Sequence, residues 1–408
     1  MFRLIIVLYL FGTTFVLQAQ NINSPYSLFG LGSENSIASG GLTGMGNTGI
    51  AESVFNEINL FNPASLGAMV PETFLQELGV SGLYSTLKNN TISESATKGN
   101  VSHIAFAFPI KKGWGLSLGL LPYTSTGYKI DLENNVIGST DTYITRITGS
   151  GGLNKAYIST GFSIGSKLHL GVDFSALFGS IKEDSQVSVG YLVNVNDTKR
   201  YNGVVLKTGF QYTMFQNENN KTVLGGVVEL PTTLSGTQTR NSFRTSSAGI
   251  VTVIEEEEET DSDNVELPLS IGFGLNSTFK QIKANLDFKK TFWNNTSQDL
   301  NDELYVNQTI YALGMEFRSA KAYSRIRYRV GVNYNSGFLQ ISNTQINSYF
   351  GSVGVGFPIN KQGGDRVNIS YSYGKEGSIN DGLIQENFHK LSLNFSFNGS
   401  WFKKTKIN

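Results

Sequence analysis

Cysteine is absent from all 408 residues. No disulfide framework and no thiolate metal site can hold such a chain together, so an exported protein of this length must rely on an extensive hydrogen-bonded architecture. Proline is scarce at 8 against 45 glycines, 27 phenylalanines and 18 tyrosines, a balance that favours β structure. Basic and acidic residues cancel, 32 against 32, which leaves no electrostatic footprint for nucleic acid. Past the N-terminus no apolar run reaches the ~18 residues of a helical membrane span. A membrane barrel, which crosses with strands, stays open.

Histidine is nearly as rare, and His103, His169 and His389 fall in three separate expected strands. His169 and Asp173 share a strand face, but four residues at about 3.3 Å each set them roughly 13 Å apart, too far for a catalytic pair. The expectation is no enzyme, no cofactor and no metal centre. The acidic run "EEEEETDSD" at 255–263 lacks the spacing of a calcium loop and reads as a solvated stretch of the longest loop, with cation bridging to lipopolysaccharide as the alternative. Gly44, Gly46 and Gly49 spell G-x-G-x-x-G. The preceding "NINSPYSLFGLGSENSIASG" has no buried-strand pattern, so a nucleotide-binding reading fails.

At the N-terminus, Arg3 is followed by uncharged and mostly apolar residues from Leu4 to Leu17, the core of a signal peptide. Cleavage after Ala19 is expected, so that residues 1–19 are the leader. Further on, apolar and polar residues alternate. Ile104, Phe106, Phe108 and Ile110 do so in one segment, Leu168, Leu170, Val172 and Phe174 in a second, and Leu391, Leu393, Phe395 and Phe397 in a third. The pattern predicts strands at 73–87, 99–110, 114–128, 154–164, 168–181, 201–215, 221–235, 265–278, 281–292, 305–318, 325–338, 346–358, 365–376 and 387–398. Short connections such as 111–113 and 165–167 alternate with long polar ones. That asymmetry belongs to outer-membrane barrels, whose turns face the periplasm and whose loops face outward.

The predicted fold is all-β, a 14-stranded antiparallel transmembrane barrel at 73–398 with a periplasmic tail at 399–408. Residues 20–72 are too many for a linker and read as an N-terminal hatch, or plug, inside the lumen. The expected location is the outer membrane of a Gram-negative bacterium, in contact with its lipid and lipopolysaccharide. Tyr84, Trp114, Tyr305, Tyr349, Tyr371, Tyr373 and Trp401 are candidates for aromatic girdles. Arg325, Arg327 and Arg329 share one strand face and are expected in the lumen, in a charge ladder with Glu316 and Asp287 rather than in an anion-selectivity site.

The stretch "GGLTGMGNTGIAESVFNEINLFNPASLG" resembles the hatch of the FadL/TodX family of outer-membrane transporters, and Asn62, Pro63 and Ala64 match its Asn-Pro-Ala motif. "NSPYSLFGLG" and "LLPYTSTGY" are similar to members from Bacteroidota. The resemblance implies a channel for hydrophobic, fatty-acid-like molecules that pass an opening hatch and leave sideways at the third strand. That strand holds Pro122, which lacks a ladder N–H, beside Gly119, Tyr123 and Gly127, and these four are the candidate lateral gate. Alternatively, Pro122 lies above the bilayer where the strand frays. A second role implied by the resemblance is that of an accessory or scaffold subunit, PorV-like, partnered by other outer-membrane proteins in a secretion or assembly complex.

Overall fold

A strand with one apolar face is stable in lipid only if its backbone groups are paired on both edges, which forces closure. The structure, a computed structural model, describes residues 24–53, 56–135, 138, 140–297, 304–319, 325–341, 343–360 and 364–400. The expected leader, Trp401 and the tail beyond Ser400 lie outside these residues. After a short strand β1 (Ser33–Glu34) come β2 (Thr73–Lys88), β3 (Ser93–Lys111), β4 (Trp114–Pro122), β5 (Thr124–Asn135), β6 (Thr142–Ile164), β7 (Leu168–Val189), β8 (Tyr191–Gln216) and β9 (Asn220–Glu229). They are followed by β10 (Thr232–Thr245), β11 (Val251–Leu267), β12 (Ser270–Phe279), β13 (Ile282–Thr291), β14 (Gln308–Arg318) and β15 (Arg327–Asn335). The last are β16 (Gln340–Ile341), β17 (Thr344–Gln345), β18 (Ser348–Pro358), β19 (Arg366–Glu376) and β20 (Gln385–Ser400).

Pairing is antiparallel throughout, and β20 closes the ring on β2 from Thr73↔Ser400 to Lys88↔Gln385. β5 continues β4, the β10–β11 hairpin rises from β9 and β12, and β16–β17 is a separate two-stranded ribbon. The barrel itself therefore has 14 strands. Its faces are inverted relative to a soluble protein. On β14, Tyr311, Leu313, Met315 and Phe317 are exposed while Ala312 and Glu316 are buried. Apolar residues face lipid and polar ones face the lumen.

Residues 24–53 and 56–70 pack against the inner face of that ring. Lumenal glycines let their backbone approach the wall: a Cβ on Gly171 would collide with Pro63 and Ala64, one on Gly225 with Ile50, one on Gly314 with Met45 and one on Gly331 with Gly46. Many of the 45 glycines are therefore spent on close packing between two backbones.

Three expectations need correction. β6, β7 and β8 span 23, 22 and 26 residues, far beyond the ~10 that cross a membrane, so segments expected as loops are strands. The acidic run 255–263 is likewise part of β11 rather than of a loop. Above the membrane both faces of a strand are wet, so the alternation that betrays a strand vanishes. β11 pairs only with β10, opposing Glu258 to Arg240, and its other edge has no partner among the described residues. Charges along such an edge discourage unwanted pairing. Tyr305, expected on the outer girdle, is instead 7% exposed and stacks on Trp293 and Phe338. Tyr84, Tyr349, Tyr371 and Tyr373 do face outward.

Gly331→Val is expected to lower stability by about 1–3 kcal/mol through overpacking against Gly46, whereas Gly82→Ala, where nothing lies within 4 Å of an added Cβ, should be neutral. Urea titration followed by heat-modifiable gel mobility measures both, and equal effects would contradict tight packing of residues 24–70 on the wall.

Candidate functional site

Asn62 lies at the start of the 3-10 turn Pro63–Ala68, where proline's fixed φ suits the first helical position. Its Oδ1 accepts from the Ala64 N–H at 3.0 Å, and its Nδ2 donates to the carbonyls of Ile50 at 2.8 Å and Phe210 at 3.0 Å. The motif thus folds its own segment and ties it to β8. Ala64 is fully buried. The glycine pattern upstream also meets an anion, though one supplied by the protein. The Gly49 and Ile50 N–H groups donate to Asp287 Oδ2 at 2.6 and 3.0 Å, so Asp287 serves the backbone of the N-terminal segment and no arginine of the expected ladder.

Two glutamates bolt this segment to further strands of the wall. Glu52 meets Lys283 Nζ at 2.5 Å and accepts from Asn276 Nδ2 at 2.7 Å. Glu57 accepts from the Gly41 N–H at 2.8 Å and faces Arg329 at 3.4 Å, Arg327 at 3.6 Å and Arg366 at 3.8 Å. Arg329 also donates to Glu316 at 2.8 Å and to Asn368 at 2.6 Å. Burial alone would push the Glu57 carboxyl up, but the Arg329 and Arg327 guanidinia and the Gly41 N–H overcome it and hold the group below its ordinary value. Arg325 is exposed, and its carbonyl accepts from Arg366 at 3.1 Å. Sequence reasoning found Arg327, Arg329 and Glu316 but missed Glu52, Glu57, Lys283 and Arg366. The first two sit in an irregular segment with no face to read, though a carboxylate in a stretch expected inside the lumen is a signal that it needs a cation there.

His169 bonds Ser163 at 2.7 Å, while Asp173 binds Ser159, Ser175 and Lys155. The two belong to separate networks.

The second feature is a break in the wall. β3 pairs with β4 only from Lys111↔Trp114 up to Ile104↔Leu120, and above that point it pairs with β2 alone. Pro122 ends β4 and Tyr123 separates it from β5, which pairs with β6 and, on its free edge, with only Ser33 and Glu34 of β1. The Asn35 N–H donates to the Tyr123 carbonyl at 2.9 Å, and the Gly127 N–H donates to Ser27 Oγ at 3.1 Å, so the N-terminal segment patches the torn edge from inside. Gly119 lies lower on β4, against Tyr157. A cavity of about 380 Å³ occupies the break, lined by Gly99, Pro122, Ser125, Thr126 and Gly152, with Lys98 Nζ donating across it to Ser125 Oγ at 2.9 Å. Lys98, Asn100 and Ser125 also line a lumenal cavity of about 220 Å³ behind it.

Among solved structures, the chain is similar to the monoaromatic hydrocarbon channel CymD, with 16% identity, a TM-score of 0.62, 91% of this chain and 100% of that one covered. It is similar to the Ralstonia pickettii toluene transporter TbuX at 16% identity and TM-score 0.62, covering 89% of this chain and 98% of that one. The Pseudomonas putida toluene transporter TodX gives 15% identity and a TM-score of 0.64, covering 90% and 100%. At such identities the likeness establishes the fold alone, a barrel shared with these channels and with a Pseudomonas aeruginosa FadL homologue. No curated protein matches by sequence. A family model described as BamG matches residues 1–408.

Because the Glu57 carboxyl is held below its ordinary value of 4.5, its contribution is complete above that pH and is lost as pH falls through the lower folded-state value. Glu57→Gln is expected to cost about 3–5 kcal/mol near neutral pH, since it leaves buried guanidinia facing one another. In urea titrations the gap between wild type and variant should narrow only in acid. A gap that is absent at neutral pH would remove Glu57 as a bolt.

Proposed function

The chain belongs to the BamG family over its full length, and from that premise we propose that it is an outer-membrane barrel with a plugged lumen that serves as a fixed accessory or scaffold subunit of a larger outer-membrane assembly. The observation that carries this reading is the pair of bolts through Glu52 and Glu57. Opening a route past residues 24–70 means parting Glu57 from its three arginines and Glu52 from Lys283, and a buried charge stripped of its partner costs several kcal/mol. The lumenal space behind the wall break is lined by Lys98, Lys390, Glu376 and Glu386, groups that a bare hydrocarbon would desolvate without replacing their contacts. β11 supports the same reading from outside. From Val251 to Asp261 its described side chains are exposed on both faces, Val251, Val253 and Ile254 among them, and it offers a free edge to a neighbour.

A second reading is favoured by the break at Tyr123: uptake of a hydrophobic, fatty-acid-like compound with hatch movement and exit through the wall at Pro122. The fold is shared with channels for toluene and monoaromatic hydrocarbons, and in this reading the N-terminal segment around Asn62 is the moving part.

Solubilised from native outer membranes in mild detergent, the protein should migrate in a stoichiometric complex that dissociates when the hairpin between Gly236 and Asp263 is shortened, with heat-modifiable mobility intact. A solitary barrel would overturn the subunit reading. For the uptake reading, cysteines at Lys98 and Ser125 bridged by a short bismaleimide should abolish entry of a labelled fatty acid. Equal entry in cells with and without the protein would eliminate uptake.

A further inference from the structure

β10 and β11 rise from the ring as a hairpin whose far edge stands open. β10 pairs on one side with β8 and on the other with β11, from Thr232↔Leu267 to Thr245↔Val251, and β11 has no second strand partner among the described residues. Its outer edge therefore presents a row of backbone N–H and C=O groups available to another strand.

The side chains along that edge carry one sign. Glu255 is answered from β10, by Arg240 Nε at 3.6 Å and Ser242 Oγ at 3.5 Å. The other β10 arginine, Arg244, lies over the Tyr191 ring at 5.2 Å instead. Glu256, Glu258, Glu259, Asp261 and Asp263 are exposed and make no ion pair among the described residues, since Arg240, the ladder partner of Glu258, is turned to Glu255. Consecutive residues of a strand point to opposite faces, and Glu258 and Glu259 follow one another in the ladder, so uncompensated carboxylates lie on both faces of β11. Toward the hairpin tip the character changes, for Ile250, Val251, Val253 and Ile254 are apolar and 59–65% exposed.

This pattern decides among occupants. A second copy would lay the same acidic run alongside, and like charges across a ladder repel. A metal ion needs converging ligands, and among the described residues no group of three or more acids or histidines is placed to hold one. A surface resting on one face would leave the carboxylates of the other unanswered. An added strand reaches both, because its side chains alternate beside those of β11 while its backbone takes up the free row.

We propose that the outer edge of β11 binds an extended, lysine- or arginine-rich segment of a partner protein as an added strand, with the partner's cations along 255–263 and its apolar side chains against Val251, Val253 and Ile254. The charges that keep like edges away thus select an opposite one. This contact rests on the subunit reading and gives it a partner of stated chemistry.

The probe is a fluorescent peptide of about ten residues, built from threonine and lysine with lysines on both strand faces. Anisotropy with the purified barrel in maltoside micelles should show binding that weakens about tenfold when alternate peptide amides are N-methylated, because methylation removes ladder donors and keeps every charge. Joint replacement by Glu256→Gln, Glu258→Gln, Glu259→Gln, Asp261→Asn and Asp263→Asn should weaken it at least as much, with heat-modifiable mobility unchanged. Failure of the unmethylated peptide to bind, equal affinity of the two peptides, or binding unchanged in the neutralised barrel overturns the added strand. In native outer membranes the same five replacements should release the partner from the complex. A wild-type complex that survives them leaves the subunit reading standing and removes the β11 contact. A solitary wild-type barrel overturns the subunit reading, and the peptide measurement still decides the edge.

Discussion

The buried ion cluster around Glu57 is the constraint from which the interior of this barrel follows. A strand that shows lipid an apolar face must turn its polar face inward, and β14, β15 and β19 bring Glu316, Arg327, Arg329 and Arg366 together there. Those cations exceed the carboxylates that the wall supplies locally. Residues 24–70 bring the missing charge as Glu57, while Glu52 answers Lys283 and the Gly49 and Ile50 N–H groups answer Asp287. The N-terminal segment thus completes an interior that would otherwise hold uncompensated charge.

Satisfying the interior in this way restricts what the lumen can do. A lumenal segment held mainly by apolar contact could slide, whereas one held by several charge-assisted bonds moves only if all of them are replaced together. The glycine rows add to this, since the wall accepts the backbone of Met45, Gly46, Ile50, Pro63 and Ala64 at distances no side chain would allow. The break at Tyr123 is different. There the wall has lost a ladder, two residues of β1 and the Asn35 N–H cover part of the free edge, and a polar latch from Lys98 spans the space. The charge-bonded region around Glu57 thus lies apart from the place where the wall ladder between β3 and β5 is interrupted.

Much of this was legible in the residues. The alternation of Leu391, Leu393, Phe395 and Phe397 with serine and asparagine needs no tertiary information to be recognised, and neither does the inward face of Arg327 and Arg329. Pro122 stands where the third expected strand divides into β4 and β5. The upper halves of β6, β7 and β8 were hidden because a strand with water on both faces carries no amphipathic pattern, and the acidic stretch of β11 looked like a loop for the same reason. Tyr305 was misplaced because position near a strand end does not tell which face a ring takes when the neighbouring chain folds over it.

The division between the two sources of information follows the range of the forces involved. The residues alone determined the period of two, the number of membrane-crossing strands and which face of each meets lipid, because these are set by neighbours two positions apart. Only closure decided that Glu52 would find Lys283 and Glu57 would find Arg329, partners 231 and 272 residues distant, because such meetings depend on the register accumulated around the whole ring.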